Sequence, residues 1–92
     1  MQEVAFCGVD EVAEVAYLSL QETGLKLVAV MDDTRSGDEF FSIPVVSLAD
    51  GVSLVRAPLV ISSLKRRDEI LKTLETIGIP SARIHVNSAE TN

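Results

Sequence analysis

Short apolar runs alternate with helix-like segments along this chain, and that alternation restricts the fold more than any other feature. Apolar, strand-like runs occupy five stretches, 3–7, 26–31, 43–46, 59–61 and 84–86. Helical spacing of apolar residues marks 11–23 and 64–77, and a weaker helical turn is expected at 48–54. Alternating strands and helices favour a parallel sheet with right-handed crossovers. We therefore predict a small α/β domain with a five-stranded parallel sheet, strand order 3-2-1-4-5, and helices on both faces.

The ends of the two longer helices carry capping signals. Asp10 is a preferred N-cap residue, and Glu11 lies in the first turn, where the helix dipole favours negative charge. Gly24 and Gly78 suit the left-handed position after a helix, and each is followed by an apolar residue. These signals predict one helix from Asp10 to about residue 23 and another that ends before Gly78.

Composition bounds the size and class of the protein. The 92 residues suffice for one core, and their 47% hydrophobic content favours a homodimer or contact with a neighbouring domain. The net charge of -6 opposes nucleic-acid binding, which needs cations to neutralise phosphate. A single cysteine fits a reducing compartment, and no apolar run reaches the roughly 20 residues that a bilayer requires. We expect a cytoplasmic protein without membrane contact, with a domain at 1–87 and a polar tail at 88–92.

Residues for catalysis are scarce in this sequence. His85 is the one histidine and Cys7 the one cysteine, which gives no zinc-ligand spacing, and no serine lies in a G-x-S-x-G turn. His85 falls on the predicted last strand, where a structural role is the simpler interpretation. The composition therefore favours binding over catalysis.

The predicted topology indicates where a ligand would bind. In an open parallel sheet the ligand crevice lies beyond the carboxyl ends of the strands where the strand order reverses, here between the first and fourth strands. The turn at that point, Gly8-Val9-Asp10-Glu11, partly matches the dinucleotide fingerprint G-x-G-x-x-G/A. Asp10 replaces the second glycine, and its side chain and charge oppose a pyrophosphate. The turn fits either a simple helix cap or a dinucleotide-binding turn.

Two further segments reach the same crevice. Asp32 follows the second strand roughly twenty residues after the glycine turn, where an acidic residue commonly binds a ribose hydroxyl. Ser62, Ser63 and Lys65 lie at a predicted helix N-terminus, where hydroxyl and N–H groups attract anions, and Arg66 extends this basic cluster. Each segment also has a plainer interpretation, as a solvated turn or a solvated helix face. The predicted ligand-binding residues are Gly8, Val9, Asp10, Glu11, Asp32, Ser62, Ser63 and Lys65.

Four stretches carry a resemblance to known domains: residues 4–8, 11–17 and 41–45 and the pair Asp32-Asp33. Through them the chain resembles the Rossmann-like ligand-binding domain found behind a winged helix-turn-helix in some bacterial transcriptional regulators. It is more distantly similar to nucleotide-sugar-binding domains of polysaccharide-biosynthesis enzymes and to CoA-binding domains. The resemblance covers nearly the whole chain. It implies a Rossmann-like fold, with a nucleotide or nucleotide sugar as the expected class of ligand.

Three functions are compatible with these features. The first, which we expect, is a non-catalytic ligand-sensing or regulatory domain of a larger transcriptional regulator whose DNA-binding helices lie outside these residues. The second is the nucleotide-binding portion of an oxidoreductase or a polysaccharide-biosynthesis enzyme, which needs a separate substrate domain. The third is a pure dimerisation module that uses the first helix, where Tyr17, Leu18 and Leu20 make more than one face apolar.

Overall fold

The computed structural model describes residues 2–86, which form six strands and three α-helices. The strands are β1 Glu3–Cys7, β2 Lys26–Met31, β3 Glu39–Phe40, β4 Ile43–Val46, β5 Leu59–Ile61 and β6 Ile84–Val86. The helices are α1 Glu11–Leu20, α2 Leu48–Leu54 and α3 Arg67–Ile77, and a 3-10 turn at Ser81–Arg83 precedes β6. The expected tail at 88–92 lies outside the described residues. Across residues 2–86, no helix is both long and apolar enough to cross a bilayer.

The strands form one sheet in the order β3-β4-β2-β1-β5-β6. All pairings are parallel except that of β3 with β4. The five predicted strands are present as β4-β2-β1-β5-β6, and β3 adds an antiparallel edge beside them. The predicted order 3-2-1-4-5 and the all-parallel, five-stranded sheet are therefore wrong for the sheet as a whole. The sequence pattern does not reveal β3 because its two residues are too few to show an alternation of apolar and polar side chains.

Helices pack against both faces of the sheet. Successive side chains of a strand point to opposite faces. Phe6 of β1 packs in one cluster with Ala13 of α1, whereas Cys7 packs in a second cluster with Leu48 of α2 and Leu74 of α3. α1 therefore covers one face of the sheet, and α2 and α3 cover the other.

The helix ends agree with the capping signals at two points and differ at two others. Asp10 caps α1, and Gly78 ends α3 with a φ of 98°. α1 ends at Leu20 rather than near residue 23, because the hydroxyl and the N–H of Thr23 both bond the Leu20 carbonyl and close a tight turn. α3 begins at Arg67 rather than at residue 64, because residues 64–66 form a turn in which the Arg66 N–H donates to the Ser63 hydroxyl.

A strained hairpin turn joins β3 to β4. Phe41 and Ser42 have positive φ values of 48° and 70°. Hairpin turns with positive φ at both central residues usually carry Asn or Gly there, because larger side chains crowd the backbone. The ring of Phe41 stacks on Tyr17 of α1 with centroids 4.2 Å apart, and this contact holds the strained turn against the helix.

Replacing Ser42 by glycine should relieve part of this strain. We expect Ser42→Gly to raise the free energy of unfolding by about 0.5–1 kcal/mol, because glycine adopts positive φ without steric cost. Urea denaturation measures the difference. Ser36→Gly is the matched control, since Ser36 is also exposed but has no positive φ. If both variants lose stability to the same degree, the turn carries no strain at Ser42.

Candidate functional site

The loops that follow β1, β2 and β5 meet at one edge of the sheet, which we call the rim, residues 8–10, 32–34 and 62–66. β1 pairs in parallel with both β2 and β5, so the three loops start at the same level. The Gly8 N–H donates to the Met31 carbonyl and the Ser62 N–H to the Cys7 carbonyl, each at 2.9 Å. The glycine turn and the serine-containing loop therefore lie side by side, as the sequence predicts.

Asp32 lies fully buried at the centre of the rim, and donors surround its carboxylate. The Val9 N–H donates to it at 2.7 Å, and Thr34 donates through its N–H at 2.9 Å and its hydroxyl at 2.8 Å. The Arg66 guanidinium binds both carboxylate oxygens, one of them at 2.8 Å. Asp32 thus ties the loop after β1 and the start of α3 to the end of β2.

A second set of hydrogen bonds joins the loop after β1 directly to the loop after β5. The Ser62 hydroxyl donates to the Gly8 carbonyl at 2.6 Å. The Ser63 hydroxyl donates to the Asp10 carboxylate at 2.8 Å and accepts the N–H of Arg66 at 3.2 Å. Both serines are buried. The hydroxyls that the sequence offers for anion binding are therefore engaged within the protein.

Gly8 allows the closest approach between these two loops. A β-carbon on Gly8 would lie 2.6 Å from Cβ of Ser63 and 2.9 Å from Cδ1 of Ile70, and the φ of Gly8 is 110°. In a dinucleotide site the first glycine of the fingerprint allows the tight turn after the strand, and the second lets the backbone approach the pyrophosphate. In this structure Gly8 lies at the first of these positions, and the space beside it is filled by the protein's own loop after β5.

The two remaining predicted residues, Glu11 and Lys65, are exposed on the outer side of the rim. Together with Asp10, Val12 and Leu64 they line a hollow of about 130 Å³. Pockets for small molecules usually measure ~300–1,000 Å³. The rim therefore brings the predicted ligand-binding residues together, but in this conformation this hollow is too small for a nucleotide.

Arg66 is the rim residue that the sequence leaves without a role. Its place in the basic cluster is evident, yet the predicted site omits it and offers it no partner. Its side chain is 25% exposed and reaches from the start of α3 to the buried Asp32. Charge is the sequence feature that could have indicated this pairing. A carboxylate and the one basic cluster are both predicted at the same edge of the sheet, and opposite charges attract.

The surroundings of Asp32 favour its ionised form. Burial raises the pKa of its carboxyl, but hydrogen bonds from Arg66, Thr34 and Val9 outweigh burial and lower the pKa from 3.8 to about 2. A pKa that is lower in the folded than in the unfolded state stabilises the fold above the unfolded value. That contribution is lost as the pH falls from about 4 towards 2.

This pKa predicts a specific sensitivity to acid. Between about pH 5 and pH 2 we expect the wild-type domain to lose on the order of 2 kcal/mol of unfolding free energy that Asp32→Asn does not lose. Urea titrations at several pH values measure both profiles. Because the remaining carboxylates are the same in both proteins, their effects cancel in the difference. Parallel profiles would show that Asp32 has an ordinary pKa.

Few groups near the rim are available for acid–base or nucleophilic chemistry. A carboxyl with a pKa of about 2 and both oxygens bonded, as in Asp32, is a poor general base. Burial raises the pKa of the Cys7 thiol to about 12, so the thiol stays protonated. Across the described part of the chain, no three His, Cys, Asp or Glu side chains group so as to hold a metal ion.

No protein-family model matches the sequence, and no curated protein matches it either.

Proposed function

We propose that this chain is a non-catalytic ligand-sensing domain of Rossmann-like type, acting in the cytoplasm as the regulatory part of a larger bacterial transcriptional regulator. The mostly parallel sheet with helices on both faces supports the Rossmann-like part of the proposal. The resemblance of stretches 4–8 and 11–17 to such regulators supports the regulatory part. The observation that carries the proposal is the pairing of Arg66 with the buried Asp32.

The rim favours binding over catalysis because its buried polar groups are already paired. A general base or a nucleophile must be free to contact the substrate. The Asp32 carboxylate accepts hydrogen bonds from Arg66 on both oxygens, and the hydroxyls of Ser62 and Ser63 join two loops. These groups hold the conformation of the rim loops and are not free to act in a chemical step.

Arg66 is the group through which a ligand would act. A phosphate of a nucleotide or a nucleotide sugar presents paired oxygens to a guanidinium as a carboxylate does, so it competes with Asp32 for Arg66. The partial exposure of Arg66 allows this approach from solvent, and the exposed Lys65 adds a second positive charge. A ligand that binds Arg66 removes one tie between the end of β2 and the start of α3. The resulting separation of the rim loops is the regulatory signal in this proposal.

Thermal unfolding with nucleotides, nucleotide sugars and acyl-CoA compounds tests ligand sensing. A ligand at 100 times its Kd adds about 2.7 kcal/mol of stability, so at least one phosphorylated compound should raise the midpoint. Lys65→Met should reduce that rise, whereas Lys72→Met, exposed further along α3, should not. The matching nucleosides, which lack phosphate, should have no effect. No response to any phosphorylated compound would refute ligand sensing at the rim.

A further inference from the structure

One face of the sheet is incompletely covered by the described residues. Over residues 2–86, α1 covers this face alone, whereas α2 and α3 share the other face. A groove of about 490 Å³ lies between α1 and the strands β5 and β6. Its lining is mainly apolar and includes Val15 of α1 and Val60 of β5, with the exposed His85 of β6 at its edge. Val15 is 64% exposed and Val60 is half-buried, so part of this apolar lining meets solvent.

The outward side of α1 has an apolar centre between acidic ends. Val15 and Leu18 are 64% and 61% exposed. Glu11 and Glu14 lie on the same side one turn earlier, Glu22 lies in the turn that follows the helix, and all three are exposed. α1 contains no lysine or arginine. The groove and these five residues form what we call the α1 surface.

A second copy of this chain is a poor occupant of the α1 surface. Pairing α1 with the α1 of another copy brings glutamates against glutamates, in a chain whose net charge is already -6. α3 carries basic residues, but its apolar residues Ile70 and Leu74 are buried in the core of its own copy. Neither α1 nor α3 of a second copy therefore offers an exposed apolar stripe with positive ends.

We propose that the α1 surface is a docking site for an amphipathic helix of a partner protein, apolar in its centre and basic at its ends. Apolar side chains of the partner at i, i+3, i+4 and i+7 would enter the groove beside Val15. Lysines or arginines at its ends would pair with Glu11, Glu14 and Glu22. The site lies on the face of the sheet that α1 covers, and the proposal does not depend on ligand binding at the rim.

Synthetic helical peptides of about 15 residues test this docking site. One set carries a leucine stripe with lysines at both ends, and a matched set carries glutamates at the ends. Fluorescence anisotropy should show binding of the lysine set alone, and amide chemical-shift changes should concentrate in α1, β5 and β6. Failure of every lysine peptide to bind, or equal binding of the glutamate set, would overturn the proposal.

Matched variants distinguish specific binding at the α1 surface from non-specific hydrophobic binding. Val15→Ser combined with Glu22→Lys should weaken binding of the lysine peptide at least tenfold, or about 1.4 kcal/mol. Leu54→Ser is the control, because Leu54 is 70% exposed on α2 across the sheet, and it should bind as the wild type does. If the wild-type chain dimerises and Val15→Ser abolishes the dimer, a second copy is the occupant and the proposal is wrong. A nucleotide response at the rim is measured separately and should survive the α1 substitutions.

Discussion

Replacing Arg66 by methionine should lower the free energy of unfolding by about 3 kcal/mol, because the substitution leaves a buried charge without its partner. The Asp32 carboxylate has no exposed surface, and Arg66 binds both of its oxygens. Methionine retains most of the aliphatic length of arginine, so the loss measures the missing guanidinium more than missing packing. Urea denaturation at neutral pH gives the value.

The control for this experiment is a second arginine–aspartate pair at the surface. Arg35 and Asp38 lie 3.0 Å apart, but both side chains are more than half exposed, 51% and 58%. Arg35→Met should therefore cost less than about 1 kcal/mol. Adding Asp32→Asn to Arg66→Met should restore part of the lost stability, because the buried charge is then removed. Equal losses in Arg35→Met and Arg66→Met would show that the rim pair contributes no more than a surface pair.

Gly8→Ala, at the one glycine of the rim, should strongly destabilise the protein. Its cost should reach about 3–4 kcal/mol, because a positive φ strains alanine and the new methyl group overpacks its neighbours. The clash is with Cβ of Ser63 at 2.6 Å and with Cδ1 of Ile70 at 2.9 Å. Relief requires the loops after β1 and β5 to separate, so the hydrogen bond of Ser62 to the Gly8 carbonyl should weaken as well.

Gly37→Ala isolates the backbone part of this effect. The φ of Gly37 is 98°, close to the 110° of Gly8, but nothing lies within 4 Å of the position of its β-carbon. Its substitution should cost about 1–2 kcal/mol, the strain of positive φ alone. Thermal and urea unfolding of the two variants give the difference. If Gly8→Ala costs no more than Gly37→Ala, the two rim loops are not packed as closely as described.

The sequence predicts the central strands well because their signal is local. The apolar runs at 26–31 and 59–61 need burial on both sides, and the parallel pairing follows from the helices between them. β3 lacks such a signal. Its hairpin turn contains Phe41 and Ser42 at positive φ, where the usual Asn or Gly would have marked the turn. That conformation is stabilised by stacking on Tyr17 of α1, a contact that no local pattern reveals.

The position of the rim could be predicted from topology, but its internal pairing could not. Gly8, Asp32 and Ser62 each follow a strand whose place in the sheet is predictable. The partner of Asp32 is Arg66, 34 residues away in sequence, and the sequence supplies opposite charges without saying that they meet. The fit of Gly8 against Ser63 depends on atomic packing. Whether a predicted crevice is open or closed is therefore a tertiary property.

The position of Asp32 also limits how this chain can be divided. One half of the sheet, built on β2 and β4, contains the carboxylate, and the other half, which leads into α3, contains its counterion. A fragment cut between α2 and β5 would separate the two charges, so neither piece should fold as the intact chain does. Complementation between the two fragments should then weaken as the pH falls from about 4 towards 2, where Asp32 becomes protonated. The charge pair of the rim would thus contribute to holding the two fragments together.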